Sequence, residues 1–285
     1  MTGLDGRVGQ DGAASAQGEP RWRRYVALGD SFTEGLDDRD PADPTIGDRT
    51  APGRYRGWAD RVAAALAARD PQVRYANLAV RGKLLAQVCD EQVPAALALG
   101  PDLVSFAAGV NDALRRRWEP EPAAARLDEA VGALRGSGAD VLVVAFGDPS
   151  RRSRVMGRVT ERVRIYNAAV HDVAQRHGAM VVEFWGAAVF DDDVMWSPDR
   201  LHLSTLGHER AAGAALEALG LADESWRTPV PSTPPPSVLA SAAGTARWTR
   251  EHFVPWLVRR ARGVSSGDGI APKHPDWVSP PPIAP

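Results

Sequence analysis

The chain of 285 residues has one cysteine, Cys89, and two lysines, Lys83 and Lys273. One cysteine excludes an internal disulfide and thiolate metal sites such as a four-cysteine zinc centre. Cys89 closes an apolar stretch, Leu84-Leu85-Ala86-Gln87-Val88, which predicts a buried, inert thiol. No charge of one sign dominates. Lysine and arginine together number 34 against 36 acidic residues, a net charge of −2. Such a balance offers no global attraction to nucleic acid or to an anionic membrane, so no nucleic-acid partner is expected. No apolar run reaches the roughly 18 residues of a membrane-spanning helix. Residues 1–20 are rich in Gly, Ala, Gln and Asp and lack the apolar core of a signal peptide. Arg23-Arg24 reads as the polar entrance to a first strand rather than as an export signal. The expected location is the cytoplasm.

What is present is a core's worth of apolar residues, 44% of the chain, arranged in alternation. Short apolar runs at Tyr25–Leu28, Val73–Ala79, Leu103–Ala108, Val141–Phe146 and Met180–Phe184 read as strands. Several are apolar throughout, as strands buried on both faces are. Between and after them, Gly57–Arg69, Lys83–Leu99, Ala123–Arg135, Arg154–His177 and Thr205–Leu219 carry helical patterns. Gly136-Ser137-Gly138 and His177-Gly178 serve as helix stops. Such alternation predicts an α/β fold, a parallel sheet covered by helices through right-handed crossovers.

The expected organisation is a poorly ordered leader over 1–20, an α/β domain over 21–222 and a Pro-rich linker over 223–237. An amphipathic helix over 238–262 and a poorly ordered tail over 263–285 follow. The helix carries Trp248, Phe253 and Trp256 beside Arg247, Arg250 and Arg259. Docking on the domain is the preferred reading for it, with membrane contact the lesser one. Asp37–Arg56 is a long polar loop with three prolines, placed where it could shape a pocket.

Four segments carry candidate chemistry. Gly29-Asp30-Ser31 stands directly after the first apolar run, where a strand gives way to a helix. A serine there sits at the carboxyl edge of the sheet, among free backbone N–H groups of the helix start. The same tripeptide is also an ordinary turn and cap. Asn77-Leu78-Ala79-Val80-Arg81-Gly82 ends the second strand, and a glycine there brings a bare N–H close to a ligand. Gly109-Val110-Asn111-Asp112 follows the third; the Asn111 amide suits an oxyanion donor, and Asp112 suits a helix cap. Asp199-Arg200-Leu201-His202 follows the fifth. An imidazole base needs a carboxylate on its far nitrogen, and a spacing of three allows that on one turn.

These four blocks, in this order over Tyr25 to about Leu206, resemble the SGNH hydrolases, also called the GDSL esterases and lipases. Leu203-Ser204 stands where many members carry proline after the histidine. The resemblance implies a flavodoxin-like three-layer α/β/α sandwich with a central five-stranded parallel sheet. It implies Ser31 as nucleophile, His202 as base and Asp199 as its orienting acid. The oxyanion hole would be the Ser31 N–H, the Gly82 N–H and the Asn111 side chain. No cofactor and no metal would be needed, and the substrate would be a small-molecule ester.

Alternatives stay open beside this reading. An acyltransferase would use the same scaffold. A metal-dependent hydrolase could draw on Asp30, Asp112, Asp199, His202 and His208. A binding module could keep the fold without turnover. Three further features are read as inert: Gly263-Val264-Ser265-Ser266-Gly267 lacks the strand–turn–helix context of a nucleophile elbow, while Arg115-Arg116-Arg117 and Asp191-Asp192-Asp193 are solvated turns. His208 is read as structural.

Overall fold

A computed structural model describes residues 21–39, 55–151, 156–230, 250 and 266–280. The apolar runs form strands β1 (Arg24–Gly29), β2 (Arg74–Asn77), β3 (Leu103–Ala107), β4 (Asp140–Ala145) and β5 (Met180–Glu183). All five are parallel, and the sheet order is β5-β4-β3-β1-β2 followed by a sixth strand, β6 (His274–Val278). Burial follows position. Every residue of β3 is buried, as are all of β1 beyond Arg24, whereas the edge strand β5 buries only Val182. Central strands covered on both faces have no solvated side to give to polar residues.

The helices are α1 (Ser31–Glu34), α2 (Trp58–Arg69), α3 (Leu85–Gln87), α4 (Val93–Leu99), α5 (Val110–Ala113), α6 (Pro120–Gly136), α7 (Thr160–His177) and α8 (Thr205–Ala218). The predicted helix over Lys83–Leu99 is broken by a π-helical turn at Val88–Gln92, between α3 and α4. On one face of the sheet α2 packs against α8; α6 packs against α7, α3 and α4. This is the expected α/β/α sandwich. The strand order reverses between β1 and β3, and open α/β sheets bind ligands outside the carboxyl ends of strands at such a switch point.

Two expectations about the chain's later part are corrected. The tail over 263–285, read as poorly ordered, holds β6, which pairs antiparallel with β2 and makes the sheet six-stranded. Its Gly- and Pro-rich composition hid it; Pro275 is tolerated because an edge strand has N–H positions that need no partner. The linker expected from residue 223 begins as part of the domain. Asp223 caps a 3₁₀ turn, Glu224–Arg227, and Trp226 is buried against Phe184 and Phe190. An indole that large holds the chain on the surface by its apolar area. The leader, the amphipathic helix apart from Arg250, and most of the Asp37–Arg56 loop lie outside the described residues. No helix among the described residues is long and apolar enough to cross a membrane.

Candidate active site

β1 is too apolar to end in solvent, and it stops at Gly29 where the chain must turn. Gln92, buried in the π-helical turn, clamps that point: its amide accepts the Gly29 N–H at 2.8 Å and donates to the Gly29 carbonyl at 2.9 Å. Asp30 then caps α1, accepting the Phe32 N–H at 3.1 Å. Ser31 is the first residue of α1, so its side chain stands at the carboxyl edge of the sheet beside the switch point.

His202, 171 residues further on, reaches the same spot. Its Nε2 lies 3.0 Å from Ser31 Oγ, and its Nδ1 lies 2.7 Å from Asp199 Oδ2. The Asp199–His202 turn explains the second distance locally. Asp199 Oδ1 accepts the backbone N–H groups of Leu201 and His202, each at 2.9 Å, which leaves Oδ2 for the imidazole. Arg200 takes a left-handed conformation, φ +58°, to close the turn. A bridge between Trp196 and Leu203 pins its base, and Ser204 caps α8. Leu203 and Ser204, which stand where many members have proline, are thus held by backbone pairing and a cap.

Charge tuning follows from this geometry. Burial alone would raise Asp199, but the hydrogen bonds and charge of His202 and the Ser197 hydroxyl hold its carboxyl well below the ordinary range. His202 is raised: burial lowers it, and the Asp199 bond and charge more than offset that, with Asp37 and Asp30 adding to the rise. Ser197 Oγ lies 2.6 Å from Asp199 and 2.7 Å from Asp37. One hydroxyl has one proton, so it donates to one carboxylate at a time.

The two segments expected to supply oxyanion donors are both tied to the chain beside Ser31: the Val80 N–H donates to the Gly29 carbonyl at 3.3 Å, and Asn111 bonds to Asp30. A turn closed by Lys83 N–H on the Val80 carbonyl at 3.3 Å puts Gly82 at its third position with φ +76°, a conformation that favours glycine. The Gly82 N–H is not used in closing that turn. The Asn111 amide donates to Asp30 Oδ2 at 2.8 Å and to the Lys83 carbonyl at 3.1 Å. The amide is therefore oriented by both the Ser31 turn and the Gly82 turn, and each of its two N–H groups already has an acceptor. Burial pushes Asp30 up to about 7.

The five residues of the metal reading do not form one cluster; of the five, only Asp199 and His202 come together. Asp112 accepts the Leu85 N–H, and His208 Nδ1 accepts the Trp58 N–H at 3.2 Å. Burial pulls His208 down to about 4, so it stays neutral. Among the described residues the metal-ligating atoms that cluster are those of Asp37, Asp199 and His202, within 4.8 Å of one another. Both His202 nitrogens there are already engaged. Cys89 is half-buried with its thiol pushed up to about 11 by burial, consistent with an inert group.

Four residues escaped sequence reasoning: Gln92, Ser197, Glu34 and Arg81. Glu34 and Arg81 form an ion pair, each about 4% exposed, and Glu34 also accepts the Arg81 N–H at 2.7 Å. The pair ties the end of α1 to the turn that holds Gly82. Two opposite charges adjoining two motifs were visible in the sequence; that they meet was not.

The chain matches the GDSL-like lipase/acylhydrolase family over residues 27–210. Comparison with curated protein sequences gives no match. Among solved structures it is similar to LAE5, an α/β-hydrolase enzyme from the metagenome of Lake Arreo, Spain. That match has 25% identity and TM-score 0.56, covering 70% of this chain and 95% of that one. It shares its fold with Axe2, an acetylxylan esterase from Geobacillus stearothermophilus, at 20% identity and TM-score 0.56, with coverage of 70% and 94%. TesA is similar at 22% identity and TM-score 0.54, with coverage of 68% and 97%. With nearly two-thirds of its length matched to one family and that family's fold around the site, the chain belongs to the GDSL-like lipase/acylhydrolase family and is a carboxylic ester hydrolase.

Proposed function

We propose that the chain cleaves acyl or acetyl esters through an acyl-enzyme on Ser31. The observation that carries this is the continuous contact from Ser31 Oγ to His202 Nε2 at 3.0 Å and from His202 Nδ1 to Asp199 Oδ2 at 2.7 Å. His202 takes the Ser31 proton as Oγ attacks the ester carbonyl. The Ser31 and Gly82 N–H groups and the Asn111 amide hold the oxyanion. The imidazolium, stabilised by Asp199, then gives its proton to the leaving alcohol. Water attacks the acyl-enzyme with His202 again as base, releasing the acid and free Ser31. Both steps balance without a metal or cofactor.

The fold shared with an acetylxylan esterase makes acetyl esters the first substrates to test. A series of p-nitrophenyl esters of rising chain length should show turnover and bound the acyl pocket. Ser31→Ala should lose on the order of 10⁴–10⁶ in kcat, and an organophosphonate should label Ser31 in the wild-type protein. Wild-type rates in Ser31→Ala would sink the reading.

A further inference from the structure

The described part of the C-terminal tail reaches the site from outside the family-matched region. The Lys273 side chain is 2% exposed, and its Nζ donates to the Glu34 carbonyl at 2.8 Å, the Tyr55 carbonyl at 2.8 Å and Asp60 Oδ2 at 2.5 Å. An ammonium has three protons, and all three are used. Burying that charge is costly unless it is fully paired, so the contact is a built one.

The two carbonyls belong to the residues that hold Arg81. Glu34 carries the carboxylate of the ion pair, and the Tyr55 ring lies 5.1 Å from the Arg81 guanidinium. Glu34 ends α1, the four-residue helix that Ser31 begins. A cation at a helix C-terminus satisfies carbonyls that have no partner within the helix. The neighbouring Thr33 carbonyl is satisfied likewise, by Asn77 at 3.0 Å, and Asn77 is paired with His274 in the sheet. The tail also lies directly on the oxyanion turn. A Cβ at Gly267 would sit 2.0 Å from the Arg81 carbonyl oxygen, so backbone there meets backbone.

We propose that the C-terminal segment 266–280 is a strap that completes this active site, with Lys273 as a positioning residue for the Ser31 helix and the Gly82 turn. It deepens the reading of Ser31 as nucleophile and rests on it. Lys273 touches no reacting atom. It acts through Glu34, Tyr55 and Arg81 on where the nucleophile and one oxyanion donor stand. The strap is fastened by one buried cation and one edge strand, and both come from a region the catalytic motifs do not include.

The test uses the full chain with Lys273→Met, and with Lys273→Met/Asp60→Asn so that no carboxylate is left buried alone. Amide hydrogen exchange is compared with the wild type, and kcat and KM are measured on p-nitrophenyl acetate below the melting temperature. Exchange should quicken about tenfold or more at 31–35 and 80–83 and stay unchanged in β4, where opening needs the whole core to unfold. Turnover should fall about tenfold, with KM within about twofold, since loosened geometry costs rate rather than binding. Unchanged exchange at those two segments would overturn the strap, and so would an equal rise in β4, which would mark a general stability role. A Ser31→Ala control separates the readings: full activity there removes the nucleophile assignment, while the exchange result still judges the strap.

Discussion

The two ends of one sheet handle charge in opposite ways. At the amino ends of the strands, Asp102 accepts the Arg23 and Arg24 N–H groups, and Asp140 gathers Arg21, Trp22 and Arg135. The arginines at the edge of this cluster stay in water: the side chain of Arg21 is 65% exposed and that of Arg24 is 54% exposed, while the Trp22 indole is buried. Asp140 and Asp70 sit below the usual carboxylate range. For Asp70 the Arg23 hydrogen bond is the main cause; for Asp140 burial is the largest single influence and raises it, but Trp22 and the arginines together outweigh it. At the carboxyl ends, Asp30, Glu34, Arg81 and Asp199 are buried. There Asp30 is raised while Asp199 is depressed, although both are carboxylates within one site. The number of charges does not separate the two ends. Solvent around the partners does: at the amino ends Asp70 and Asp140 face arginines that stay partly in water and both shift downward, whereas at the carboxyl ends the partners are largely buried and each neighbour sets a different pKa.

The comparison predicts that equal deletions have unequal results. Asn111→Ala should have the largest effect. Removing an oxyanion donor costs on the order of 10²–10³ in kcat, and steady-state kinetics on p-nitrophenyl acetate would read it. A kcat left at the wild-type value would remove Asn111 from the hole and weaken the contrast at its sharpest point.

Asp37→Asn should have a smaller, directional effect. The negative charge of Asp37 helps to raise His202, and His202 must be neutral to act as base. Deleting that charge lowers the imidazole pKa, so the acid limb of kcat/KM should move to lower pH. A limb that stays in place or moves upward would show that Asp37 does not act on the base.

Asp140→Asn should matter least. Its arginine partners are exposed or half-buried, and the Asn oxygen can still accept from the buried Trp22 indole, so the loss should be about 1 kcal/mol or less, a fall in Tm of at most about 2–4 °C in a domain of this size. Esterase kcat should not change. A change in kcat from that remote edge would mean that the two ends are coupled, and the simple contrast would fail.

Much of the architecture was legible along the chain. The five parallel strands differ from the expected runs only at their ends, because continuous apolar stretches and helix stops are local signals. The Asp199–His202 turn was legible for the same reason, since three residues of separation form one Asx-type cap. β6 was not, because an edge strand with Pro275 has neither alternation nor an apolar run, and its partner lies nearly 200 residues earlier. Nor was the break at Val88–Gln92, where the side chain of Gln92 is recruited to hold Gly29.

By itself the sequence determined which residues end strands, which cap helices and which four blocks carry reactive groups. Periodicity, glycine placement and capping act over one turn of chain. Only the tertiary structure decided that Ser31 Oγ and His202 Nε2 stand 3.0 Å apart, that Glu34 finds Arg81, and that Lys273 returns from the C-terminal tail to bind beside them. Those contacts depend on strand order and burial. Desolvation gives a charge its meaning only after the remote parts of the chain have closed around it.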